Sequence, residues 1–149
     1  MAIGIMIPNI NCSGALIYCK NTHRILLVQK SNGKHSGTWG LVGGTNLIDE
    51  NPWQGLQREI IEEIGFLPDI KKILPLERFV SDDNIFSFHT YFCLIDNEFI
   101  PLLSDEHLAW GWFKINYFPK PIHKGLELSL KNKIIQTKIQ TVVNIIDLI

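Results

Sequence analysis

Residues 44–66 read GTNLIDENPWQGLQREIIEEIGF, and the folding of this stretch decides the architecture around it. Asn51 followed by Pro52 has the form of a helix start, an N-cap residue with proline at the first helical position. Gly65 supplies a C-terminal stop. Between them Leu56, Ile60 and Ile64 recur at steps of four, an apolar stripe that faces a core. Glu59, Glu62 and Glu63 then stand at i, i+3 and i+4, on one surface beside that stripe. Like charges at this spacing destabilise a helix by about 0.2–0.5 kcal/mol per pair. Either solvent dilutes that repulsion or something positive belongs there. On a helix met without context, the solvated surface is the commoner reading.

The flanks are strand-like. CSGALIYC (12–19) and RILLVQK (24–30) are separated by the turn KNTH, and SNGKHSG leads as a loop into a short strand, TWGLVGG (38–44). Beyond the helix, IKKILPLERFV (70–80) and IFSFHTYFCLI (85–95) flank the charged turn SDDN and form a hairpin, and GWFKI (111–115) adds a short strand. From about Lys124 the tail carries Ile135, Ile139, Val142, Val143, Ile146 and Ile149 at steps of three and four, one amphipathic helix. Packing on its own sheet is the simpler use of that helix, and a homodimer contact is the other. The interleaving lacks a regular βαβ alternation, so the expected class is α/β with a mixed sheet covered by helices, in a single domain over residues 1–149.

Bulk properties narrow the partners. With 149 residues, 46% of them hydrophobic, the chain can bury a sizeable core. A net charge of −1 gives no basic field for a long nucleic acid, though a nucleotide needs only a local site. Cys12, Cys19 and Cys93 fit no CxxC spacing and read as free thiols in a reducing compartment. The start, MAIGIMIPNI, has no basic segment and is interrupted by Pro8, so neither a signal peptide nor a membrane span is expected, and the expected compartment is cytoplasmic.

From Gly44 the pattern is Gly, five residues, Glu50, seven residues, Arg58-Glu59-Ile60, one residue, Glu62-Glu63, one residue, Gly65-Phe66. This resembles the signature of the Nudix hydrolases (MutT-like), GX5EX7REUXEEXGU with U a bulky apolar residue, at every specified position. A chance match is on the order of one in 10⁸ per start. GTWGLVGG, just before it, resembles the family's tryptophan-bearing strand ending in a double glycine. LSDEHLAWGWF places Glu106 ahead of Trp112, as a late-loop glutamate precedes a strand tryptophan in many members. FSFHTYFCLI and PKPIHKGLELSL add fainter likeness, so the resemblance spans roughly residues 12 to 130. Three positions depart from it: Val42 where a proline is common, Asp49 where a glycine is, and Gly55 where an alanine is. Gly55 should cost the helix about 0.5–1 kcal/mol relative to alanine.

The resemblance implies an α/β/α sandwich and a pyrophosphohydrolase that cleaves a phosphoanhydride bond in a nucleoside diphosphate linked to a further group X. It implies Mg²⁺, with Mn²⁺ as a substitute, held by Glu59, Glu62 and Glu63, with the backbone of Gly43 and Gly44 close by. Hard oxygen donors suit such a cation. Arg58 and Glu50 are expected to hold the loop onto the helix through a bidentate contact. Glu106 is the candidate for a further metal ligand or general base. Lys30 and Lys34, in KSNGKHSG, are placed to meet phosphates, and Phe88 to line a substrate cleft, although packing is the commoner use of such an aromatic. Trp39 and Trp112 read as core. His35, His89, His107 and His123 show no metal-type pairing and read as structural, with His107 singled out by its position beside Glu106. The first substrate expectation is a nucleoside triphosphate, cleaved to monophosphate and pyrophosphate, with dinucleoside polyphosphates and nucleotide sugars open. The alternative is a nucleotide-binding regulatory module without catalysis.

Overall fold

The computed structural model describes residues 9–148; residues 1–8, read above for a signal peptide, and Ile149 lie outside the described part. Strands β1 (Ile10–Cys19), β2 (Arg24–Lys30), β3 (Trp39–Gly40), β4 (Val42–Thr45), β5 (Lys72–Val80), β6 (Phe86–Ile95) and β7 (His107–Phe113) build one seven-stranded sheet. Helices α1 (Pro52–Ile64), α2 (Lys124–Lys131) and α3 (Lys133–Ile146) cover it. The central order is β3-β2-β1-β6-β5, with β7 on β2 and β4 on β1. Strands β1 and β6 run parallel, from Ile10 opposite Phe86 to Cys19 opposite Ile95, and the other pairs are antiparallel, so the sheet is mixed as expected.

Alternation along β1 sorts the core into two layers. Ala15, Ile17 and Cys19 face α1, where they bury Leu56, Ile60 and Ile64 together with Leu26, Val28, Val42 and Cys93. Leu16 and Tyr18 face the other way and pack with Ile25, Leu27, Phe92 and Leu94 against Leu126, Ile135, Ile139 and Ile146 of α2 and α3. Each fully buried aliphatic or phenyl side chain stabilises the fold by about 1.5–3 kcal/mol. Helix on sheet on helices is the α/β/α sandwich.

Helix α1 starts and stops where its sequence says it should. Asn51 accepts from the Gln54 N–H at 2.8 Å, Gln54 accepts from the Asn51 N–H at 3.0 Å, and Gly65 closes the helix in the left-handed conformation. Two expectations are corrected. TWGLVGG is two strands, because Trp39–Gly40 pairs with β2 whereas Val42–Thr45 pairs with β1. The tail divides at Asn132, whose side chain accepts from the N–H groups of Ile134 and Ile135 and so begins a new helix where the apolar period alone runs on.

One feature of the sheet positions the site. Strand β1 pairs with β4 through Cys12–Ala15 but with β2 only at Tyr18 and Cys19. The sheet therefore splits along this edge of β1, and Gly43 and Gly44 lie on β4 at the split.

Candidate active site

Helix α1 packs over β4 and the face of β1 that carries Ala15, Ile17 and Cys19, and its acidic side meets the double glycine. Arg58 is the hub. Its Nε donates to Glu50 Oε2 at 2.8 Å and its Nη2 to Glu50 Oε1 at 2.9 Å, the bidentate geometry expected of this pair. Nη2 also donates to the Thr45 carbonyl at 3.0 Å, and Nη1 reaches Glu59 at 3.0 Å and Glu62 at 3.1 Å. Hydrogen bonding to Arg58, seconded by the Leu47 N–H, holds the Glu50 carboxyl below the usual carboxylate range. The same contact with Glu50, with those of Glu62 and Glu59, pushes the guanidinium up.

The three glutamates differ in depth. Glu62 is exposed, Glu59 half-buried and Glu63 buried. Burial raises the Glu59 carboxyl above its usual value; Arg58 opposes the rise, and the charges of Glu63 and Glu62 add to it. Gly44 is bare on the side facing Glu59: a Cβ there would stand 2.5 Å from its carboxylate. Glu63 accepts from the Gly43 N–H at 2.7 Å through Oε1, and its Oε2 lies 3.0 Å from His107 Nε2. Among the described residues no three His, Cys, Asp or Glu side chains already converge at ligand distance. Arg58, His107 and the Gly43 amide hold the carboxylates instead. The donor set still fits a divalent cation: three carboxylates of adjacent helical turns, hard oxygens all, on a face kept open by a glycine.

The remaining candidates are spread around this centre. Glu106 is exposed at the threshold of β7, and its carboxylate has no partner among the described residues. Its neighbour His107, read as structural from sequence, is the residue that touches Glu63. Lys30 ends β2 opposite His107, and Lys34 is exposed in the following loop. Phe88 lies beside Cys12 on the face away from α1, its ring over Gly14, with Phe86 6.4 Å away centroid to centroid. Trp112 is core, its Nε1 donating to the Phe99 carbonyl at 3.1 Å, and Trp39 packs edge-on to Phe113. Cys12, Cys19 and Cys93 are free thiols. The His35 and His123 rings lie 4.3 Å apart, tilted by 55°, a pairing with no sequence signal because 87 residues separate them and only the fold joins them.

Comparison with known proteins speaks to family and fold. The NUDIX domain model matches residues 11–132, most of the chain. The chain belongs to the NUDIX domain family. Nudix hydrolase 7 of Arabidopsis thaliana is 38% identical over 64 residues, 42% of this chain and 23% of that protein, so the chain spans well under half the length of that relative. The crystal structure of a MutT NUDIX hydrolase from Burkholderia pseudomallei superposes with a TM-score of 0.65 at 26% identity, over 83% of this chain and 97% of that one. A C. elegans Ap4A hydrolase, at 22% identity, shares the fold with a TM-score of 0.67, over 89% of this chain and 98% of that one. No helix among the described residues is long and apolar enough to cross a membrane.

Proposed function

We propose that this chain is a divalent-cation-dependent pyrophosphohydrolase that cleaves a phosphoanhydride bond in a nucleoside diphosphate carrying a further group, with a nucleoside triphosphate as its first substrate class. The observation that carries the reading is the carboxylate face itself. Glu59, Glu62 and Glu63 are all present, graded from buried to exposed, and gathered at the split in the sheet beside Gly43 and Gly44.

These residues would hold Mg²⁺, or Mn²⁺ in its place. The cation, when bound, supplies charge neutralisation for phosphate oxygens and acidifies water. The protein's own groups do the rest. Arg58 and Glu50 fix the loop of residues 45–50 to the helix, so the carboxylates face a defined surface. The buried Glu63 is held between the Gly43 N–H and the His107 ring, which come from different elements. Glu106, exposed and without a side-chain partner among the described residues, is free to accept a proton from attacking water. Lys30 and Lys34 supply positive charge near the end of β2 for the phosphates. Phe88, with the exposed Phe79 opposite it on β5, offers ring surface on which a base can stack.

The test is a panel assay with Mg²⁺ against nucleoside triphosphates, dinucleoside polyphosphates, ADP-ribose and nucleotide sugars, with Glu63→Gln alongside. Turnover of one class, lost in the variant, carries the proposal. Saturable binding without turnover supports a nucleotide-binding module instead.

A further inference from the structure

We propose that His107 is a positioning residue for Glu63, holding its carboxylate in the orientation in which it meets the cation; the inference rests on the metal-dependent reading above. His107 Nε2 lies 3.0 Å from Glu63 Oε2, and both side chains are buried, at 7% and 5% exposure. From the opposite side the Gly43 N–H donates to Oε1 at 2.7 Å. The Gly43 amide on one oxygen and the His107 ring nitrogen against the other fix the plane of the carboxylate. A carboxylate offers about four lone-pair sites, so this clamp leaves one on each oxygen for a ligand.

The backbone is built to bring the imidazole there. Trp110 and Trp112 of β7 face α1, opposite Val28 and Leu26. Continued alternation would aim Leu108 at that face next. Instead the register shifts: Ala109 is opposite Gln29 and His107 opposite Lys30, leaving Leu108 as the extra residue and 65% exposed. The bulge turns a large apolar side chain out and the imidazole in, a re-aiming for which bulges beside functional sites are used. The loop before it is tied to the same glutamate. The Ser104 N–H donates to the Glu63 carbonyl at 3.1 Å, and the His107 N–H to the Ser104 carbonyl at 3.2 Å. Side chain and main chain of Glu63 are thus both gripped by residues 104–107.

The other ring nitrogen separates this role from packing. His107 Nδ1 is buried and has no hydrogen-bond partner among the described residues. Buried polar atoms are nearly always paired, so a ring kept here with one nitrogen unpaired is kept for what Nε2 does. An Nε2–H on this ring faces the Glu63 carboxylate, 3.0 Å away.

Mn²⁺ binding to the metal-free protein, followed by electron paramagnetic resonance, tests the proposal without any turnover. Groups that orient a metal ligand typically contribute 10–100-fold to affinity. His107→Phe, which keeps the ring and loses the donor, is expected to weaken Mn²⁺ binding about 10–100-fold, and His107→Gln, with an amide N–H in place of Nε2, to restore most of it. Wild-type binding with an unchanged Kd in His107→Phe overturns the role of His107 alone. No Mn²⁺ binding to the wild type overturns the metal-dependent reading together with it. Should His107→Phe fail to fold, the imidazole ¹⁵N shifts of the metal-free wild type decide: a proton on Nε2 is expected, and a ring protonated only at Nδ1 overturns the contact.

Discussion

The side-chain oxygen of Asn46 occupies the space that a Cβ on Gly55 would need, 2.3 Å from the position such an atom would take. Asn46 Oδ1 accepts there from the Ser13 hydroxyl at 3.1 Å, and the same hydroxyl sits 3.0 Å from the Pro52 carbonyl, so loop, β1 and α1 are joined at one point. Gly55 looks unfavourable when the helix is considered alone. Its bare backbone is what admits the asparagine.

Gly55→Ala should therefore destabilise the protein by about 1–3 kcal/mol, the usual cost of overpacking, although helix propensity alone predicts a gain of about 0.5–1 kcal/mol. Urea denaturation reads the sign. In the double variant with Asn46→Ala the clash is gone, so the two effects should sum to less than their separate costs. A stabilised Gly55→Ala would show that Asn46 moves aside freely.

Gly44→Ala makes the opposite prediction from a similar clash. Its new Cβ would meet the Glu59 carboxylate at 2.5 Å, the far end of a flexible side chain. Glu59 can swing away, so the unfolding midpoint should stay near that of the wild type. Turnover should fall about a hundredfold, because a displacement of about 1 Å at a reacting centre carries that consequence. Thermal unfolding and initial rates measured on one preparation separate the two effects.

How much of this was legible in the sequence follows from how local each feature is. The caps of α1 and the bounds of β2 depend on neighbours within a few positions, and the structure has them as expected, whereas of the three glutamates expected on the surface Glu63 is buried, because β7 brings His107 over it. The β5–β6 hairpin was marked by its charged turn. The division of TWGLVGG was hidden because it depends on which strand each half meets. The break at Asn132 was masked by an apolar period that continues across it, while the side chain's capping bonds prevail locally. His107 was hidden by the bulge: strict alternation gives its place to Leu108, and only pairing with β2 reveals the shift. Gly55 looks like a local weakness in the sequence because its partner, Asn46, is brought to it by the loop.

The Glu50–Arg58 pair predicts a pH dependence of stability. The folded Glu50 carboxyl lies below its ordinary value of 4.5, so the unfolded chain takes up the proton first as pH falls. The stabilisation is complete above that ordinary value and is lost as pH drops through the depressed one. Glu50→Gln lacks this titration. The gap in urea midpoint between wild type and variant should be widest near about pH 7 and should close progressively below about pH 4. A gap of constant width across that range would mean that the carboxylate charge contributes nothing.

Glu106 and Glu63 should separate when each is changed to glutamine. Glu106 is exposed and has no side-chain partner among the described residues, so Glu106→Gln should leave stability within about 0.5 kcal/mol of the wild type. As a general base it should lower kcat/KM by about 10²–10⁴-fold and remove the acidic limb of the pH–rate profile, because the amide cannot accept the proton. Glu63→Gln replaces a buried carboxylate lodged between the Gly43 amide and His107, so its loss should appear in cation affinity as well as in rate. Full pH profiles of both variants, with Mn²⁺ affinity measured beside them, assign the roles. An unchanged profile in Glu106→Gln would take that residue out of the reaction and leave proton transfer to another group.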